Sequence, residues 1–301
     1  MEINKILAEE FKLRQEQVVN TVALIDDGKT IPFIARYRKE LTGSLDDQIL
    51  RELSDRLTYL RNLEIRKSEV SSSIAEQGKL TEEISSALDK AETLVEVEDI
   101  YRPFKPKRKT RASIAREKGL EVLADLIGRQ DDKLDLHNEA QKFINVENGL
   151  ETEEEVIQGA SDIIAENVSD DAELRKSIRK LYEKAAKIES RASDENAETV
   201  YQNYYEFCEP VSKIADHRIL ALDRGEKEGA LKVSVSIDEE FCFSIAERKY
   251  VINNTDSGNI VKAAVQDSCK RLIMPSVERE IRAELTARAA EGAIKVFSSN
   301  L

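Results

Sequence analysis

Between Ser44 and Gly78, apolar residues recur at helical steps: Leu50, Leu53, Leu57, Leu60, Leu63, Val70 and Ile74. The intervening positions are charged or polar, so one stripe of a long helix is apolar and the rest is suited to water. A helix over this stretch is about 45 Å long at 1.5 Å per residue. Such a stripe is buried only against other helices, so it predicts a helix-packed body. The 301-residue chain has only eleven glycines and five prolines, which fits long helices joined by short turns. Core packing accounts for the whole stripe and leaves no cofactor role for it.

The flanking sequence extends the same reading. Ile3 to about Asp27 reads as one helix, with Leu7, Phe11, Val18, Val22 and Ile25 on one side and Gly28 as its C-cap. Thr30 and Pro32 suit the start of a short helix that Gly43 ends. Asp46 and Ser44 stand where the long helix opens. Beyond Gly78, three shorter helices are expected after Thr81, Thr93 and Thr110, the last stopping at Gly119. RPFKPKRKT separates the second from the third, and its two prolines forbid a regular helix. Helix, constrained turn, helix is the outline of a helix-turn-helix unit. Helices are also expected over about 171–190 and 194–208, then from Ser257 to Cys269 and from Ser276 onward. LKVSVSIDEEFCFSI alternates apolar and polar residues on both sides of Asp238–Glu240, which predicts a β-hairpin near 230–246. The apolar run AIKVFSSNL at the end reads as a truncation point.

Charge and chemistry narrow the function classes. With 59 acidic and 46 basic residues the net charge is −13, which argues against general coating of nucleic acid. No stretch approaches the roughly 18 apolar residues of a spanning helix, and the N-terminus lacks a signal core. A cytoplasmic protein with no membrane association is expected. Cys208, Cys242 and Cys269 form no CxxC pair, and the only histidines are His137 and His217. Neither a zinc site nor a nucleophilic triad assembles from this inventory. No phosphate-binding glycine loop is present. Enzymatic activity, cofactors and metals are therefore not expected. His217 and Arg218 read as a buried, hydrogen-bonded histidine beside a salt-bridged arginine.

The strongest local signal is RPFKPKRKTRASIAREK, residues 102–118. It holds eight cations, Arg102, Lys105, Lys107, Arg108, Lys109, Arg111, Arg116 and Lys118, against Glu117 alone. Residues 147–173 carry ten acidic residues and no basic one. The basic turn can contact several phosphates with steep salt dependence, with Tyr101 and Phe104 stacking on bases or packing the turn. Equally, its cations can pair with an acidic neighbour, the 147–173 segment included. Arg36, Arg38 and Lys39 around Tyr37 form a secondary cluster. There Arg36 and Lys39 share one face, Phe33 and Tyr37 another. Capping and packing is the competing role for this cluster.

TVALIDDGKTIPFIARYRKELTGSLDD, LTYLRNLEIRK, IYRPFKPKRKTRASIAREKGLEVLA and HRILALDRGEKEGALKV, in this order from residue 21 to about 231, resemble the bacterial Tex family of transcription accessory proteins. The resemblance implies a mainly α fold: a multihelical body over 1–69 and 129–301, a helix-turn-helix-like insertion over 70–128, and one small β-hairpin. It further implies an N-terminal fragment, since the family continues into RNase H-like, helix-hairpin-helix and C-terminal OB-fold RNA-binding domains. The basic segment maps onto Lys105, Lys107, Arg108, Lys109 and Arg111 as an auxiliary nucleic-acid contact, to RNA or DNA and weak in this fragment. Transcription machinery and the remaining Tex domains are the other implied partners. The family usually reads Pro-Ser-His-Arg before its Leu/Ala helix, where this chain has Ala215-Asp216-His217-Arg218. The implied function is a non-catalytic helical scaffold and auxiliary nucleic-acid-binding region. The alternative is a protein–protein interaction scaffold whose basic turn docks on an acidic partner or on a missing domain.

Overall fold

The computed structural model describes residues 2–105, 109–194 and 199–299. Two compact units divide the chain at Lys105 and Pro106. The fold is mainly α with one small antiparallel sheet.

In the first unit, α1 (Ile3–Phe11) and α2 (Gln15–Asp26) stand where one helix was expected. The break is at Lys12, whose φ of 55° is left-handed and turns the chain. α3 (Ile31–Tyr37) and α4 (Lys39–Thr42) follow, separated by the non-helical Arg38. The long helix α5 spans Asp47–Glu76, with the Asp46 carboxylate accepting the Ile49 N–H at 2.8 Å. Every seam residue from Leu50 to Ile74 named above is at most 2% exposed. Its N-terminal half packs on Leu7, Val18 and Val22, and Leu50 also meets Ile34 and Leu45. Its C-terminal half packs on α6 (Glu82–Lys90) and α7 (Leu94–Tyr101) through Leu88, Ala91 and Val97. Thr81 and Thr93 cap these two helices through their hydroxyls. Lys67 interrupts the apolar seam, and its ammonium donates to the Asp89 carbonyl at 2.9 Å, which offsets part of the cost of burying it.

In the second unit, α8 (Arg111–Glu117), α9 (Glu121–Arg129) and α10 (Leu136–Gln141) lead to α11 (Glu153–Ser169) and α12 (Ala172–Ala185). The unit boundary thus falls inside 70–128: α6 and α7 share a core with α5, whereas α8 and α9 share one with α11. The strands are β1 (Lys187–Ala192), β2 (Glu206–Pro210) and β3 (Leu231–Ser236), in the order β2-β1-β3. Ile188 of β1 faces Glu209 on one side and Val235 on the other. α13 (Asp216–Lys227) precedes β3, and α14 (Glu239–Tyr250) follows it. The chain then runs through α15 (Asp256–Asp267), a π-helical turn (Ser268–Ile273) and α16 (Met274–Ser299). The π turn makes one continuous rod of a stretch expected to hold two separate helices.

Two expectations are corrected here. Phe241–Ile245 is helix, not the second strand of a hairpin. The Asp238 carboxylate accepts the Glu240 N–H at 3.1 Å, and burial falls on Cys242, Phe243 and Ala246, a helical spacing. The strands that pair with one another instead lie at 187–192 and 206–210, where helix was expected. Burial of Ile188 and Ser190 alternates there with more exposed neighbours, a period of two.

The outer edge of β3 is covered by α16. Glu278 accepts the Val235 N–H at 2.8 Å, and Arg282 donates to the Val233 carbonyl at 3.0 Å.

Candidate nucleic-acid interface

The cations of the 102–118 segment have separate fates. In the first unit, Arg102 opens a 3-10 turn that ends at Phe104 and is half-buried. Lys105 pairs with Glu98, which also accepts Arg66 Nε at 2.6 Å. Burial raises the Glu98 carboxyl, but the hydrogen bonds from Arg66 and Lys105 outweigh it and hold the group below the ordinary range. Tyr101 lies beneath Arg66 and Lys105, and its hydroxyl meets Ser73 Oγ at 2.9 Å. Phe104 packs into the α5–α7 core. Both aromatic side chains therefore pack the turn. Lys107 and Arg108 lie outside the described residues.

In the second unit, Thr110 and Ser113 exchange hydroxyl–amide hydrogen bonds at 3.0 and 2.8 Å, fixing the start of α8. Ala112 and Ala115 are buried, and α8 lies close against α11. Gly159 permits that approach: a Cβ there would stand 2.4 Å from Leu120 Cδ1. The pairing that follows joins basic and acidic segments. Arg116 donates to Glu166 Oε2 at 2.5 Å and to Asn167 Oδ1 at 2.8 Å, with Glu121 at 3.4 Å. Thr110 Oγ1 donates to the other Glu166 oxygen at 3.0 Å. Lys118 donates to the Gly149 carbonyl at 2.7 Å. Lys109 is 69% exposed, with Glu117 at 3.6 Å.

Arg111 and Lys118 line a cleft of about 520 Å³ between α8 and α11, with Asp162 at its wall. Burial raises the Asp162 carboxyl above its ordinary value, opposed by the charges of Arg271 and Arg111. The interface is therefore mixed in sign. Of the 102–118 cations described in this unit, Lys109 and Arg111 are exposed, while Arg116 and Lys118 serve internal contacts. The sequence exposed the charge contrast between 102–118 and 147–173, but Glu166 and Asn167 as Arg116's partners carried no local signal.

The secondary cluster lies in the first unit. Arg38 is spent on structure: its guanidinium sits 5.3 Å from the Phe33 ring centroid and donates to the Tyr37 carbonyl at 2.9 Å. Arg36 and Lys39 line one cleft together with Pro32. Phe33 and Tyr37 rings stand 5.3 Å apart at 44°.

His217 is exposed, which corrects the expected buried histidine. It falls in the first turn of α13 on the solvent side, whereas Ile219 and Leu222 take the buried positions. Arg218 is salt-bridged as expected, with Glu209 accepting at 2.9 Å through both oxygens. Asp216 pairs with Arg288 Nε at 2.9 Å, giving the departure from Pro-Ser-His-Arg a partner in α16. Burial pushes the Cys242 thiol up to about 11 and the Cys269 thiol up to about 12, so both stay protonated and unreactive at neutral pH. Among the described residues, no group of three or more His, Cys, Asp or Glu side chains is arranged to hold a metal ion. Among them too, no helix is long and apolar enough to cross a membrane.

Two family models match the chain: the Tex-like protein N-terminal domain over residues 1–75 and the Tex central region over 131–297. YdcI of Bacillus subtilis is 45% identical over 98% of this chain and 42% of its own length. The transcriptional accessory protein Tex of Neisseria gonorrhoeae is 36% identical over the whole chain and 40% of its own length. The human S1 RNA-binding domain-containing protein 1 is 30% identical over 99% of the chain and 31% of its own length. The chain thus spans about two fifths of the bacterial relatives.

Proposed function

The chain belongs to the Tex family, and from that premise we propose that it is the non-catalytic helical scaffold of a transcription accessory protein, with an auxiliary nucleic-acid contact. The observation that carries the contact is the survival of solvent-facing cations on a chain of net charge −13. Lys109 is 69% exposed, and Arg36 and Lys39 have no acidic partner among the described residues. Phosphate neutralisation by such cations gives weak, salt-sensitive binding. The names of two relatives, a transcriptional accessory protein and an S1 RNA-binding domain-containing protein, support transcription and RNA as the setting. Cytoplasmic residence, with transcription machinery and further Tex domains as partners, belongs to the same proposal. So does the helix-turn-helix-like insertion over 70–128, a span that the unit boundary at Lys105 and Pro106 divides.

The test is a titration of labelled single- and double-stranded RNA and DNA at low and physiological salt. The same titration is run on the chain with Lys107, Arg108 and Lys109 changed to glutamate. Weak binding that disappears in the triple variant assigns the contact to the basic turn. Unchanged binding removes that assignment. Reproducible, metal-dependent nuclease turnover abolished by a point substitution would overturn the non-catalytic reading.

A second reading has its own observation. Arg116 and Lys118 are engaged by Glu166, Asn167 and Gly149, so half-used basic helices here bind acidic surfaces within the protein. A protein–protein scaffold of the same character predicts no nucleic-acid binding at any salt.

A further inference from the structure

Residues 175–191, RKSIRKLYEKAAKIESR, hold seven cations against Glu183 and Glu189, directly after the acidic 147–173 segment. α12 sorts these cations by face. Arg175 and Arg179 lie on the buried side with Leu174, Ile178 and Tyr182, and Glu280 accepts from them at 2.7 and 2.6 Å. Lys180 and Lys184 stand one turn apart on the exposed side. α12 ends at Ala185, and after the single residue Ala186 the chain enters β1 at Lys187. On β1, Ile188 and Ser190 are buried, so Lys187, Glu189 and Arg191 take the outer face of the sheet. The β1–β3 register then sets Lys232 directly opposite Arg191. The inward faces of α12, β1 and β3 meet in one core through Ile178, Ile188 and Val235. Their outward faces therefore adjoin, and Lys180, Lys184, Lys187, Arg191 and Lys232 form one ridge on the second unit.

All five ridge side chains are exposed, and none makes an ion pair, side-chain hydrogen bond or ring contact among the described residues. Like charges at i,i+4 on a helix, or directly opposite on paired strands, are destabilising. The fold holds both placements, in Lys180 with Lys184 and in Arg191 with Lys232. Two nearby carboxylates are turned elsewhere. Glu183 lies on the flank where its charge acts on Glu284 of α16, and Glu189 accepts the Ser236 hydroxyl at 2.7 Å. Glu206, across β2 from Arg191, is exposed and makes no ion pair with it among the described residues. Beside the charges, the outer face of the sheet carries Cys208, Pro210, Ser234 and Ser236, with no aromatic ring. Such a surface can neutralise a row of phosphates but has nothing on which to stack a base.

We propose that this ridge, from Lys180 to Arg191 with Lys232 beside it, docks the phosphate backbone of double-stranded nucleic acid without reading its bases. The inference rests on the nucleic-acid reading above and gives it a principal contact on α12 and the sheet. A duplex carries one charge per about 1.7 Å of its axis, twice the density of a single strand, so a row of cations neutralises more phosphate on it. An unpaired strand gains much of its affinity from stacking, which this face does not offer.

The experiment uses the full 301-residue chain and fluorescein-labelled DNA and RNA duplexes, with one strand of each alone, titrated by anisotropy between about 50 and about 200 mM salt. Lys180→Ala with Lys184→Ala, and Lys187→Ala with Arg191→Ala, are each expected to weaken duplex binding about tenfold and to lower the slope of log affinity against log salt by about two. Lys79→Ala with Lys133→Ala removes the same charge from exposed lysines outside these elements and is expected to change affinity by less than about twofold. Circular dichroism spectra matching the parent chain confirm folding. If the β1 pair fails to fold, the α12 pair carries the test, since alanine is the strongest helix former. Duplex binding unchanged in the ridge variants overturns this site while leaving the nucleic-acid reading intact, and so does an equal loss in the control pair. Single strands bound as tightly as duplex by the parent chain overturn the backbone docking. Displacement of duplex by polyglutamate at equal charge concentration assigns the ridge to an acidic protein and overturns it too. No binding of any oligonucleotide by the parent chain overturns this site and the reading beneath it together.

Discussion

Arg116 donates to Glu166 at 2.5 Å across fifty residues of sequence, joining the basic helix α8 to the acidic helix α11. Glu166 is 7% exposed and also accepts the Thr110 hydroxyl. Changing Arg116 to alanine leaves this carboxylate buried with one partner fewer. The expected loss is about 1–3 kcal/mol, the range for a hydrogen-bonded group stripped of a charged partner and partly screened by water. Urea denaturation followed by circular dichroism measures it. Nucleic-acid affinity of the folded variant is expected to stay at the parent value, because Arg116 faces inward.

Glu280 and Glu284 on α16 titrate in opposite senses. Burial raises Glu280, but the Arg179 hydrogen bond and the charges of Arg175 and Arg179 bring it below the ordinary range. Its folded value lies under the unfolded one, so its stabilisation is present above the unfolded pKa and is lost as pH falls through the folded value. Glu284, on the exposed side of α16, is raised by partial desolvation against its neighbours and by the charge of Glu183. Its ionisation therefore destabilises the fold as pH rises from the unfolded value through the raised folded one. Glu284→Gln is expected to raise the thermal midpoint at pH 7 and leave it nearly unchanged at pH 4, as read by scanning calorimetry at the two values.

Gln130 stitches the end of α9 to the segment after α14. Its amide donates to the Tyr250 carbonyl at 2.7 Å and accepts the Ile252 N–H at 2.9 Å. Gln130→Ala is expected to cost about 1–3 kcal/mol for the unsatisfied backbone groups it leaves. Hydrogen exchange at the Ile252 amide reports the change directly, with faster exchange in the variant.

Gly43 adopts φ +69° at the end of α4, and a Cβ there would lie 2.2 Å from Gln17 Nε2. That amide donates to the Thr42 carbonyl at 3.0 Å. Gly43→Ala therefore adds left-handed strain and displaces a tertiary hydrogen bond, for a loss of about 1–2 kcal/mol. A denaturant midpoint shifted down with an unchanged slope is the expected result.

What the sequence revealed and what it hid follow from range. The α5 seam and the caps at Asp46, Thr81, Thr93 and Thr110 were legible because each rests on residues within a few positions of one another. β1 and β2 were not, because a five- or six-residue alternation beside an amphipathic helix has little periodic signal. Pairing across 187–210 and 187–236, with Ile188 buried in the core, stabilises them. FCFSI satisfied both periods, and the Asp238 cap favours the helix. In the candidate site, the clusters at 36–39 and 102–118 were visible as composition. Which cations remain for a ligand was not, since Arg116's partners lie fifty residues away and Arg38's is a ring one helical turn back.

The side chains of Glu278 and Arg282 occupy the backbone groups of β3 that a fourth strand would use. The small sheet is therefore closed to growth on that side, and an incoming extended segment could add only beside β2. There Pro210, which has no N–H to donate, limits any such addition to a few residues. A helix acting as a false neighbouring strand thus protects the sheet from joining others of its kind.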